Sequence, residues 1–368
     1  ALAAGHRAGF DGPLVAITGS NGKTSTKEMC AAVLGVAAPC LKNPGNLNNH
    51  WGLPVSLLRR EPEHRSVVVE LGMNHRGEIA VLAAIARPTI GVITNVGAAH
   101  IGNLGSRDAI ALEKGDLVAA LPAGAVAVLN ADDPRALRQA ERTEARVVRF
   151  GRSESADVRC TDARRADRAM AFTLVTPQGS VAVEVAGLGE ATLSNASAAA
   201  AAALAAGASL EQVAQGLAAY RPVGGRLEPR ELPGGALLID DSYNANPQSL
   251  ELALGLLAEL GRESGGRTFA VLGDMGELGD RAADAHDEAG ALAARLGIDV
   301  LVALGEHAGR MVEAASRAGL AHALEARDHE DAAARVRERL GPRDRVLVKG
   351  SRSMQMERVA RDLAGEKD

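Results

Sequence analysis

The chain has few cysteines, no run of basic residues and no long apolar stretch, and each shortage removes a class of function. Its three cysteines are Cys30, Cys40 and Cys160. They make neither a metal-binding spacing nor an even framework, which leaves a reducing cytoplasm as the expected compartment. The formal net charge is −5 and the pI about 6.0, so nucleic acid is not expected as a partner. No signal peptide and no membrane span can be read, and no membrane partner is expected. The alanine-rich run over 196–206 is too weakly apolar to cross a bilayer and reads as a helix packed closely on a sheet. No short repeat of fixed period appears. The first residue is Ala, and the phosphate-binding pattern described next starts soon after it, which suggests a processed or truncated chain.

What remains is 368 residues at 46% hydrophobic, enough for two or three domains with ordinary cores. The chain is organised around Val15-Ala16-Ile17-Thr18-Gly19-Ser20-Asn21-Gly22-Lys23-Thr24-Ser25. A β-branched run ends in a Gly-punctuated loop, and a helical pattern follows through Met29, Val33 and Leu34. Gly19 and Gly22 let backbone N–H groups curl around a phosphate. A helix start adds partial positive charge. Lys23 is placed to reach the β- and γ-phosphates, and the Thr24 hydroxyl to ligate Mg²⁺. One feature departs from the usual phosphate loop: Ile17 stands where its first glycine belongs.

From Pro13 to about Gly151, strand and helix patterns alternate. Strands fit 14–18, 66–71, 90–96, 125–130 and 146–150, with helices near 24–34, 77–86, 106–121 and 134–139. Continuous apolar strands with helical crossovers predict a mostly parallel, two-sided sheet. The texture changes after Ala156. Alternating runs over 169–175 and 180–185 flank Thr176-Pro177-Gln178-Gly179 and predict an antiparallel hairpin. Two alanine-rich helices follow, over 194–206 and 209–219. Arg221-Pro222-Val223-Gly224-Gly225-Arg226 reads as a linker. Beyond it, strands fit 236–240, 268–272, 300–303, 321–326 and 345–348, a second doubly wound domain.

Several strand ends carry polar chemistry. Glu70 closes one strand, where a carboxylate suits Mg²⁺. His100 follows another strand on the same sheet edge. Lys114 sits among acids on a helix, and its residue pattern alone reads as a solvated charged face. Asn43 to Gly52 is a loop dense in amides, suited to a polar substrate or to ordinary Asx turns. In the second half, Asp240-Asp241-Ser242-Tyr243-Asn244-Ala245-Asn246, Gly273-Asp274-Met275-Gly276-Glu277 and Lys349-Gly350-Ser351-Arg352-Ser353 end three strands on one face, with His286 on a following helix.

Taken together these strings resemble the Mur ligase family of ATP-dependent amide ligases. ITGSNGKTSTKEM, NPGNLNNHWGLP, VVELGMNHRGEI, ITNVGAAHIGNLGS, EKGDL, GGRLE, DDSYNANPQS, VLGDMGELG and LVKGSRSMQME carry the resemblance in one order along nearly the whole chain. The family's own phosphate loop lacks that first glycine. The resemblance implies an α/β fold: a P-loop central ATPase domain over 1–222, with a mostly parallel sheet plus a small antiparallel part, then a Rossmann-like C-terminal domain over 223–368. It also implies that the family's N-terminal UDP-gripping domain is missing.

By the same resemblance, ATP phosphorylates a substrate carboxylate and an amine attacks the acyl phosphate. Gly19, Ser20, Asn21, Gly22, Lys23, Thr24 and Ser25 would cradle ATP, and Thr24, Glu70, His100 and Lys114 would hold Mg²⁺, two ions in all. Lys114 matches the lysine that the family carbamylates, which reverses its bland reading. Asn46 matches an amide near the reacting phosphate. Arg226 and Asp241 match nucleotide contacts, and Asn244, Asn246, Lys349 and Ser351 match C-terminal positions near nucleotide or substrate. Asn195 matches the last residue of an adenine-holding trio whose first two members are replaced by Ala191 and Thr192. Strings DDSYNANP and GDMGELG point to UDP-N-acetylmuramoyl-tripeptide and D-alanyl-D-alanine as the substrates, handled by a monomer. The alternatives are another amino-acid-adding member, or a nucleotide-binding module without ligase activity.

Overall fold

The computed structural model describes residues 2–366, which form two compact units that divide between Arg221 and Pro222. In the first unit the strands are β1 (Leu14–Thr18), β2 (Cys40–Lys42), β3 (Ser66–Glu70), β4 (Ile90–Ile93), β5 (Val126–Asn130), β6 (Arg146–Gly151), β7 (Val158–Ala166), β8 (Ala169–Thr176) and β9 (Gly179–Ala186). Its helices are α1 (Leu2–Ala8), α2 (Lys23–Leu34), α3 (Gly52–Leu58), α4 (Glu78–Ala86), α5 (Ile101–Leu104), α6 (Arg107–Ala119), α7 (Pro134–Arg138), α8 (Gly189–Ala205) and α9 (Leu210–Ala219).

Strands β1, β3, β4 and β5 are buried along their whole length, as continuous apolar runs require. The nine strands lie in the order β2-β3-β1-β4-β5-β6-β7-β8-β9. Pairing is parallel from β2 through β7 and antiparallel from β7 to β9. The strand order reverses beside β1, the crevice where open α/β sheets bind ligands. The predicted hairpin forms with Thr176 facing Gly179.

Helix α8 buries Ala196 and Ala198 to Ala203. Such short side chains let it lie close against the sheet and α2. On α9, a β-carbon at Gly216 would fall 2.3 Å from Val33 Cα, so only glycine permits that approach.

The second unit holds β10 (Glu228–Glu231), β11 (Leu237–Asp241), β12 (Thr268–Gly273), β13 (Val300–Leu304), β14 (His322–Ala326) and β15 (Arg345–Lys349). Its helices are α10 (Pro247–Ser264), α11 (Ala282–Arg295), α12 (Ala308–Arg317), α13 (His329–Arg337) and α14 (Glu357–Leu363). The order is β10-β11-β15-β12-β13-β14, parallel except for β10. The three polar strand ends therefore belong to adjacent strands β11, β15 and β12.

Three strands escape the sequence pattern. β2 is three residues long. β7 is rich in arginine and breaks register between Thr161 and Arg164, with Asp162 at φ 52°. β10 is a Glu-Pro-Arg-Glu edge strand, where proline costs no ladder bond. Helix α8 starts five residues earlier than predicted, so Ala191 and Thr192 lie in its first turns.

Candidate active site

Between β1 and α2 the loop is shaped by its glycines. Gly19 has φ 152° and Gly22 φ 80°, conformations that L side chains rarely adopt. A β-carbon at Gly19 would lie 1.8 Å from Thr94 Oγ1, and one at Gly22 would lie 2.0 Å from Asn195 Oδ1. The loop is thus walled by the segment after β4 and by α8. Asn195 packs directly on Gly22 and contacts the Thr26 hydroxyl at 3.4 Å.

Asn95, just past β4, accepts from the Asn21 backbone N–H at 2.9 Å and donates to the Asn21 carbonyl at 3.0 Å. The Thr94 hydroxyl donates to the same carbonyl at 2.6 Å, and Ser20 Oγ accepts from Gly97 N–H at 2.8 Å. Lys23 Nζ folds back to the Gly19 carbonyl at 2.8 Å. These bonds hold the backbone of the loop before any ligand arrives.

Thr24 Oγ1 donates to Glu70 Oε2 at 2.7 Å, and Asn48 Nδ2 donates to Glu70 Oε1 at 2.8 Å. Asn43 pins the same strand end, accepting from Glu70 N–H at 2.9 Å and donating to the Leu47 carbonyl at 2.9 Å. The fully buried Lys27 donates to the Asn43 carbonyl at 2.7 Å. A hydroxyl and one carboxylate beside a phosphate cradle are a fitting donor set for Mg²⁺, which takes few protein ligands and completes its shell with phosphates and water. The amide that reaches Glu70 is Asn48. The Asn46 side chain is exposed and makes no hydrogen bond among the described residues.

His100 is half-buried, at φ 64°, seven residues beyond the end of β4. Its strand neighbours β1 and β1 neighbours β3, so His100, the loop and Glu70 follow three adjacent strand ends.

Lys114 is 1% exposed, and its Nζ makes no hydrogen bond among the described residues. The solvated-face reading is corrected here: α6 turns this position inward. Lys114 lies four residues after Ile110 and three before Leu117, so it shares their buried stripe, and that spacing is the signal for its burial. Burial and then the charge of Lys23 hold its amine well below the ordinary 10.5, against a smaller upward pull from Glu113. Glu113 has a separate task. Its carboxylate accepts from the Gly77 and Ile79 N–H groups at 2.7 and 2.9 Å, capping the start of α4.

In the second unit, Asp241 and Lys349 form an ion pair at 2.5 Å, with Lys349 almost wholly buried. Lys349 also donates to the Asn244 carbonyl at 2.9 Å, and Asp241 accepts from Leu227 N–H at 3.2 Å. Burial pushes the Asp241 carboxyl upward, against the pull of Lys349. The Arg226 guanidinium stacks over Tyr243 at 4.0 Å. Ser351 N–H donates to the Asp274 carbonyl at 2.8 Å, tying the ends of β15 and β12. Asn246 caps α10.

Residues 17–203 match the Mur ligase middle domain, and residues 225–352 match the Mur ligase glutamate ligase domain. The chain belongs to the Mur ligase family. It is 40% identical to the UDP-N-acetylmuramoyl-tripeptide–D-alanyl-D-alanine ligase of Mycobacterium tuberculosis, over 96% of this chain and 73% of that one. The ligase of the same name from Escherichia coli is 38% identical, over 98% and 79%. Among solved Mur ligase structures, MurF from Acinetobacter baumannii superimposes with a TM-score of 0.90 at 35% identity, covering 99% of this chain and 79% of that one. MurF from Thermotoga maritima, solved in complex with ADP, gives 0.89 at 29% identity, covering 99% and 82%.

Proposed function

We propose that this Mur ligase is an ATP-dependent carbon–nitrogen ligase that adds D-alanyl-D-alanine to UDP-N-acetylmuramoyl-tripeptide, a step in peptidoglycan precursor synthesis in the cytoplasm. The observation that carries the reading is the Thr24–Glu70–Asn48 cluster closed onto a preformed phosphate loop. The named relatives supply the substrates.

In this reading, the loop N–H groups and Lys23 hold the ATP phosphates, and the γ-phosphoryl group passes to the terminal carboxylate of the tripeptide. The amine of D-alanyl-D-alanine attacks the acyl carbon, and phosphate leaves from a tetrahedral intermediate. The chain supplies positioning and charge neutralisation. Thr24, Glu70 and His100 would hold Mg²⁺, which neutralises charge on the transferring group when bound.

Lys114 is proposed as a carbamate. Its buried amine is depressed toward the neutral form, and only a neutral amine has the lone pair to attack CO₂. The product loses one proton and presents an anion to a second Mg²⁺.

The test is phosphate release with each acceptor amine in turn. Turnover is expected with D-alanyl-D-alanine alone. Release with a single amino acid instead would move the chain to another member of the family. ATP binding with no release in any mixture would overturn the ligase reading.

A further inference from the structure

Away from the phosphate loop, a cavity of about 820 Å³ opens in the first unit beside the start of β6. Small-molecule sites span about 300–1,000 Å³. Its apolar wall comes from Leu137, Val158, Ala201, Leu204 and Ala205. Arg138 and Arg146 line it too, and neither guanidinium makes a hydrogen bond among the described residues. Arg149 is set against Asp157 at 2.9 Å. The remaining charges on the lining are Arg138, Arg146 and Glu141, so the cavity is net positive.

The cavity exists because β6 lacks a neighbour along half of its length. β5 pairs with Arg146 through Phe150, whereas β7 joins only at Phe150 and Gly151. In a parallel pair, successive residues point their backbone groups to opposite sides. Arg146 N–H donates to the Ala125 carbonyl at 3.1 Å, and the Phe150 carbonyl accepts from Ala131 N–H at 2.8 Å, so Val147 and Arg149 turn theirs away from β5. At Arg149 they are used. Asp157 N–H donates to its carbonyl at 2.8 Å, and Asp157 Oδ2 accepts from its N–H at 2.8 Å. The Asp157 carboxylate also accepts from the Arg149 guanidinium, at 3.1 and 2.9 Å. Two residues back, the N–H and carbonyl of Val147 face the cavity, where no strand meets them.

The Arg149 position shows what the Val147 position can hold. There, a single residue puts a carboxylate on the edge N–H, an amide N–H on the edge carbonyl, and its charge against a guanidinium. Arg149 first, and then Arg146, hold the Asp157 carboxyl below its usual range, against the opposing effect of burial. Val147 offers the same two backbone groups, with Arg138 and Arg146 on the same cavity and an apolar wall beside them. The C-terminal residue of a short peptide carries the matching set: a carboxylate, an amide N–H and an apolar side chain. Asp157 closes one end of the edge, which leaves room for a few residues and none for a long strand.

We propose that this cavity binds a short apolar peptide with a free C-terminal carboxylate, which adds to the edge of β6 at Val147 and pairs with Arg138 and Arg146. The site lies apart from the nucleotide loop. Arg146 aligns across the sheet with Val15 at the start of β1, whereas the loop follows Thr18 at its end. Three strand spacings, about 14 Å, separate β1 from β6. The proposal goes beyond the ligase reading and does not depend on it.

The test is calorimetric titration of the full chain, with ADP present, using N-acetyl-leucyl-valine as the acid and as its C-terminal amide. The acetyl cap removes the amine, so the probe cannot act as an acceptor substrate. The acid is expected to bind, and the amide about tenfold more weakly, the scale of a lost charge-assisted hydrogen bond. Methylating the valine nitrogen of the acid removes the N–H offered to the Val147 carbonyl, and should weaken binding about three- to tenfold. The double variant Arg138→Gln, Arg146→Gln should weaken the acid about tenfold and leave the amide unchanged. Ala205→Phe, which fills the apolar end, should abolish binding of both, with ADP affinity unchanged in every variant.

No binding of the acid to the wild type overturns the proposal. So does equal binding of acid and amide, an N-methylated acid that binds as well as the parent, or displacement of the peptide by ADP. An unchanged affinity for the acid in the arginine variant overturns it too. Should Ala205→Phe fail to fold, the arginine variant and the N-methylated probe still decide, because neither alters the packed core.

Discussion

The Thr24 hydroxyl and the Glu70 carboxylate meet at 2.7 Å, which joins the first turn of α2 to the end of β3. Thr24→Val keeps the shape and removes the donor. It is expected to cost about 1–3 kcal/mol, the scale for a bond to a buried charged acceptor. It should also raise the Mg²⁺ concentration needed for half-maximal turnover. Thermal denaturation and a Mg²⁺ titration read the two effects. A normal Mg²⁺ midpoint in Thr24→Val would remove Thr24 from the cation site, and chelation of Mg²⁺ should stop turnover in the wild type.

Gly22 is constrained twice, by φ 80° and by the contact with Asn195. Gly22→Ala should therefore lower stability and abolish ADP binding. The left-handed backbone accounts for about 1–2 kcal/mol of the loss. Adding Asn195→Ala relieves the clash but not the backbone strain. The double variant should recover part of the denaturant midpoint. Strict additivity of the two changes would show that the residues do not touch in solution.

In CO₂-free buffer, where Lys114 is a free amine, it links pH to stability with a definite sign. Its folded value lies well below 10.5, so between that value and about 10.5 the unfolded chain binds more protons than the folded one. Stability from this group rises with pH across that window, and the penalty for its burial is greatest below the folded value. Lys114→Met should thus be more stable than wild type at low pH, by a margin that narrows toward pH 10.5. Melting temperatures across pH measure it, and a margin that widens with pH would contradict the burial. The same variant should lose turnover. In Lys114→Ala, a small carboxylate supplied in solution should restore part of it.

Lys349→Met leaves Asp241 buried without its ammonium partner. Loss of one member of such a pair costs about 3–5 kcal/mol. The neutral double variant Asp241→Asn, Lys349→Met should cost less than Lys349→Met alone. Urea denaturation of the three proteins provides the check.

Local pattern made the phosphate loop legible, because strand, glycines, lysine and helix all lie within 14–34. The buried parallel strands were equally plain, since both their faces are apolar. The bonds from Asn48 to Glu70 and from Glu113 to Gly77 were not. They join residues 22 and 36 positions apart, and no periodicity encodes such a meeting. Lys114 was masked by its neighbours. Glu113 and Asp116 make the segment look solvated, yet Glu113 spends its charge on the start of α4, and Asp116 pairs with Arg142 at 2.6 Å. Asn95 stood in a recognised string, but its reciprocal bonds with Asn21 required the sheet order to be known.

Helix α8 has a consequence of its own. The wall it sets behind the nucleotide loop is built largely of alanine, a side chain with no rotamers to lose. Ordering that wall therefore costs only backbone entropy, and it has no side-chain disorder to freeze when a nucleotide binds. Asn195 stands on a support that is already as ordered as it will become. The entropy cost of forming the complex then falls on the ligand and on the exposed amides at the rim.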